Sequence, residues 1–115
     1  MITIKYSRDK PQRVLTMTVN GHAGYAPAGH DVICGAVTIL ARTLVKVVCD
    51  MHEAHALARP PTVWTESGNV EASCKMCDSL GYSKALVAYD TIFEGMKLLA
   101  MAYPDYVEII GEKHE

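Results

Sequence analysis

The apolar residues of this chain repeat with two different periods, and the order in which the periods alternate constrains the fold more than any other feature. Ile2, Ile4 and Tyr6 alternate with Thr3, Lys5 and Ser7, the pattern of a strand with one buried face. Asp9-Lys10-Pro11 turns the chain. Leu15, Met17 and Val19 then alternate with Thr16, Thr18 and Asn20, a second strand expected to pair with the first as a hairpin. From Val32 to about His55 the period becomes helical: Ile33, Val37, Leu40, Leu44, Val47, Val48 and Met51 form one stripe, with Arg42, Lys46, Asp50 and Glu53 on the opposite side. Arg59-Pro60-Pro61 ends that helix. Val63 to Thr65 and Val70 to Met76 flank Ser67-Gly68-Asn69 as a second hairpin. A second helix is predicted from about Ser83, with Ala85, Leu86, Tyr89, Ile92, Phe93, Met96, Leu99, Ala100 and Tyr103 on its buried face. Pro104 stops it, and Tyr106 to Ile110 reads as a last strand. The order ββαββαβ predicts an α+β fold, a mostly antiparallel sheet with two helices packed against it.

At 115 residues, with half of them hydrophobic, the chain is expected to form a single domain over residues 1–115 with a core that needs no staples. Net charge is −2 and there is no Lys/Arg run, which argues against direct nucleic-acid binding. No export signal is evident, and no apolar stretch is read as long enough to span a bilayer. The four cysteines are therefore expected as free thiols in a reducing cytoplasm.

Gly21, Gly24, Pro27 and Gly29 interrupt regular structure between the second strand and the first helix. This segment places His22 at a strand end and Cys34 in the first turn of a helix, separated by eleven residues, Ala23 to Ile33. Unpaired N–H groups and the helix dipole favour a thiolate at such a position. A nearby imidazole can take the thiol proton and return it to a leaving amine. Asp31 is expected as the helix N-cap, and N–H groups around Cys34 as donors to an oxyanion. On spacing alone, the better reading takes Cys34 as a small hydrophobe at the edge of the apolar stripe and His22 as a loop histidine.

Gly-His-Ala-Gly-Tyr-Ala at 21–26, followed by Asp-Val-Ile-Cys-Gly-Ala-Val-Thr at 31–38, closely resembles the signature of the ribosomal-processing cysteine proteases, the Prp family. That pattern is a GHAGYA-like stretch and then D-[IV]-[VI]-C-A-A-[VI]-S. The length, the strand–loop–helix order and Tyr103-Pro104-Asp105-Tyr106-Val107 extend the likeness over essentially the whole chain. Gly35 replaces the usual alanine and Thr38 the usual serine. The resemblance implies a cysteine endopeptidase with a catalytic dyad of His22 and Cys34 and no cofactor. It further implies Asp31 as an orienting or capping residue, and Gly21, Gly24, Tyr25 and Thr38 as loop or substrate contacts. The implied substrate is the N-terminal extension of a large-subunit ribosomal protein, or a phage capsid or scaffold protein for a prophage copy. A homodimer is implied as well, while the charge balance and the lack of an export signal add the expectation of a cytoplasmic protein with neither nucleic acid nor membrane as partner.

Other readings come from other classes. Cys74-x-x-Cys77 with His52-x-x-His55 has zinc-like spacing. Strand alternation would, however, point the two cysteines to opposite faces, and histidines at a helix end are favoured by the dipole alone. No metal site is expected. His30 offers a second imidazole near the thiol but reads as an exposed loop residue, and Trp64 reads as packing. A catalytically silent ribosome-assembly or scaffold-binding module is the third reading, against which stands the presence of both His22 and Cys34.

Overall fold

A computed structural model describes the backbone of residues 1–21, 30–66 and 68–114, with side chains in those ranges except at 30, 31 and 112–114. The elements run β1 (Ile2–Asp9), β2 (Val14–Asn20), α1 (His30–Glu53), β3 (Thr62–Glu66), β4 (Asn69–Lys75), α2 (Ser79–Ala102) and β5 (Val107–His114). This is the expected ββαββαβ order. The strands form a sheet ordered β3-β4-β2-β1-β5. Neighbours are antiparallel except β1 and β5, which run parallel with Ile2 opposite Val107 and a register shift between Ile4 and Lys5.

Strand alternation gives the sheet one apolar face. Ile2, Ile4 and Tyr6 of β1, Leu15, Met17 and Val19 of β2, and Ala72 and Cys74 of β4 are all buried on it. The helices complete the core with Ile33, Val37, Ala41, Leu44 and Val48 of α1 and with Tyr82, Ala85, Tyr89, Phe93 and Met96 of α2. Gly95 lets the helices approach closely, since a Cβ there would lie 3.1 Å from both Leu40 methyl carbons. The opposite face carries Lys5, Thr16, Thr18, Glu71 and Ser73, with Thr16 and Ser73 hydroxyls 2.8 Å apart. Trp64 shares that face, on its hairpin strand, and is half exposed.

Several boundaries move. α1 starts at His30 rather than Val32, so Asp31 lies within its first turn and is not the N-cap. An acidic residue is favourable on either side of a helix start, so residue type could not separate the two registers. The helix ends at Glu53, before His55 turns into the left-handed region at φ 60°. α2 starts at Ser79, four residues earlier than the apolar pattern indicated. Asp78 caps it, its carboxylate accepting the Gly81 N–H at 2.7 Å, so Gly81 opens the helix instead of preceding it. Tyr103 is the C-cap, its N–H bonded to the Leu99 carbonyl, and is partly exposed instead of lying on the buried face. β5 extends beyond Ile110 to His114, continuing along β1 past the register shift.

The reading that no segment could span a bilayer is also corrected. Val32–Glu53, 22 residues, is long and apolar enough by length and composition. Charged residues such as Arg42 and Lys46 interrupt every simple apolar run, which hid this. Its inward stripe, Ile33 to Val48, is buried in the core.

Candidate active site

The end of β2 is fixed by backbone contacts. Gly21 has φ +101°, a conformation favouring glycine, and its N–H donates to the Gly68 carbonyl in the β3–β4 turn at 2.8 Å. A Cβ at this position would run into the Met1 carbonyl oxygen. The chain start, the end of β2 and the second hairpin therefore meet at the residue before His22.

Cys34 is half-buried at the margin of the α1 stripe, as the helical wheel places it. It opens on a cavity of about 300 Å³ between α1 and the end of the sheet. Ile2, Val19 and Val70 form the floor of this groove. Cys34, Thr38 and Arg42, four residues apart on successive turns, make the helical wall. Thr65, Glu66 and Gly68 of the second hairpin stand opposite, and Gly21 closes one end.

With α1 starting at His30, Cys34 is the fifth helical residue, not a member of the first turn. Regular helical pairing engages its N–H with the His30 carbonyl. The donors without an intrahelical acceptor are those of the first turn, His30 to Val32, so any oxyanion donors from the helix must come from there rather than from Cys34 itself.

His22, Gly24 and Tyr25 lie outside the described residues, as do the side chains of His30 and Asp31. The groove brings together Gly21, Cys34 and Thr38 of the expected site residues. It adds Arg42, which hydrophobic patterning had assigned to the polar side of α1. A wheel distinguishes a buried stripe from its rims but not which rim borders a groove.

The remaining cysteines are elsewhere. Cys74 is buried, its Sγ 3.5 Å from the Tyr89 hydroxyl, and burial pushes its thiol pKa up. Cys77 is exposed, its Sγ 3.8 Å from the His55 carbonyl oxygen, and Cys49 is exposed on α1. Among the described residues, no three His, Cys, Asp or Glu side chains come together as metal ligands.

The family model described as Cysteine protease Prp matches residues 1–108. No curated protein matches the chain. Among solved structures, the chain is similar to the essential ribosomal processing protease Prp from S. aureus in complex with a substrate peptide, with TM-score 0.69 and 14% identity. That alignment covers 97% of this chain and 100% of the other. SMU.848 from Streptococcus mutans gives TM-score 0.66 at 22% identity, covering 98% of this chain and 95% of the other. At these identities the solved structures establish a shared fold.

Proposed function

Because the chain belongs to the cysteine protease Prp family, and is a cysteine protease, we propose that Cys34 is its nucleophile, His22 its base, and the groove beside Cys34 its peptide site. The observation that carries this reading is the position of Cys34: of the four cysteines, it alone lines the groove. His22 accepts the Sγ proton, and the thiolate attacks the carbonyl carbon of the scissile peptide. First-turn N–H groups of α1 are the candidate donors to the oxyanion. The C–N bond then breaks as the His22 imidazolium protonates the departing amine. Water, deprotonated by His22, attacks the thioester, and the Cys34 thiol is released with the product acid. Asp31 orients His22 or favours the helix start, while Gly21, Gly24, Tyr25 and Thr38 shape the loop and contact the peptide.

The substrate is the N-terminal extension of a large-subunit ribosomal protein. Support comes from the GHAGYA and DVIC motifs and from the S. aureus relative of the same fold, a ribosomal processing protease seen with a substrate peptide. The enzyme acts as a cytoplasmic homodimer, with no cofactor and with neither nucleic acid nor membrane as partner.

The test is intact-mass spectrometry of the N-extended ribosomal protein incubated with wild-type, Cys34→Ala and His22→Ala proteins. Loss of the extension only with wild type supports substrate and dyad together. Cleavage that persists in Cys34→Ala removes the nucleophile assignment. No cleavage by folded, reduced wild type removes the ribosomal substrate and points to phage capsid or scaffold proteins.

A further inference from the structure

We propose that Arg42 is a specificity residue, its guanidinium binding an acidic side chain of the substrate peptide three or four residues from the cleaved bond. The proposal deepens the assignment of Cys34 as nucleophile and rests on it.

Arg42 lies two turns along α1 from Cys34 and lines the same groove. Eight residues at 1.5 Å per residue separate them by about 12 Å along the helix axis. An extended peptide advances about 3.3 Å per residue, so a chain running from the thiol along the helical wall reaches Arg42 after three or four residues.

The surroundings leave this cation available. Farther along the helix, Lys46 is held by Asp50 at 2.6 Å, whereas no ion pair engages Arg42 among the described residues. Glu66 is the other charged residue of the groove. In the β3–β4 ladder Thr65 pairs with Val70 and Glu66 with Asn69. Val70 belongs to the floor, so strand alternation directs Thr65 towards α1 and the Glu66 side chain to the opposite face. Arg42 therefore meets a passing peptide over a floor of Ile2, Val19 and Val70 and beside Thr38 and Thr65, with Glu66 the one acidic residue of the described lining. A guanidinium offers several fixed donors to a carboxylate and none of its atoms accepts, so an acidic side chain is matched and a basic one repelled.

The experiment is digestion of a randomised synthetic decapeptide library by wild-type, Arg42→Gln, Arg42→Glu and Cys34→Ala proteins, with cleavage sites read by mass spectrometry. Matched peptide pairs then give KM and kcat separately. Wild type is expected to favour Asp or Glu over Lys by about 2- to 5-fold at one position three or four residues from the cut, the range of a solvent-exposed ion pair. Arg42→Gln is expected to abolish that preference and Arg42→Glu to invert it, with the change in KM and kcat unaltered. Absence of a charge preference in wild type, or its survival in Arg42→Glu, overturns the proposal while leaving the nucleophile assignment intact. Cleavage that does not depend on Cys34, or no cleavage of the library, overturns both.

Discussion

Gly35 follows the proposed nucleophile, and a Cβ built on it meets nothing within 4 Å among the described residues. Glycine inside a helix costs about 1 kcal/mol relative to alanine, so Gly35→Ala is expected to stabilise the protein by about that amount in urea unfolding. Destabilisation would mean that another part of the chain fills the space. The thiols also separate by position. In the folded protein at pH 7, Cys74 is expected to resist iodoacetamide because it is buried and its thiolate disfavoured, and to react fully in urea. Peptide mapping after brief alkylation checks this, and rapid native labelling of Cys74 would contradict its placement. At this scale the sequence was legible in placement, as at Cys34, which the helical wheel puts at the margin of the apolar stripe where the structure has it. It was not legible at Arg42, whose place in the groove depends on a hairpin more than twenty residues away in sequence folding opposite it.

Elements were legible in kind and order because periods of two and of about 3.6 are hard to confuse over long stretches. Their ends were less so. The start of α2 depends on a single carboxylate: Asp78→Ala is expected to cost about 1 kcal/mol, measured by chemical denaturation, and an unchanged midpoint would remove the capping role. The β1–α2 contact is polar as well as apolar. Tyr6 donates to Asp90 at 2.7 Å, and Arg8 pairs with the same oxygen at 3.2 Å. Burial, followed by the hydrogen bond to Asp90, raises the Tyr6 pKa; burial likewise raises those of Tyr89 and Cys74. For each, the folded pKa exceeds the unfolded value, so the native state keeps a proton that the unfolded chain has released. Their stabilisation is therefore complete below the ordinary thiol and phenol ranges and declines as pH rises above about 9 to 10. Tm should fall over that interval in calorimetry, and less steeply in Tyr6→Phe. Equal slopes for the two proteins would show that Tyr6 does not contribute.

At the scale of the whole molecule, the proposed homodimer predicts a light-scattering mass twice the 12.6 kDa of one chain, and a monomer mass at working concentration would refute it. The long-range pairing is less conspicuous in the sequence than the hairpins. Two short strands near opposite ends of a chain carry no local signal that they are neighbours, or that they run parallel. Yet Ile2 sits beside Val107, and α2, from residue 79 onward, supplies Tyr82, Tyr89, Phe93 and Met96 to the core. A ribosome delivers β1 long before its parallel neighbour β5. The helix that carries Cys34 has emerged well before the layer that packs against it. Completion of the core thus waits on β5: a copy that stops before α2 and β5 leaves the apolar faces of β1 and α1 without the layer that covers them.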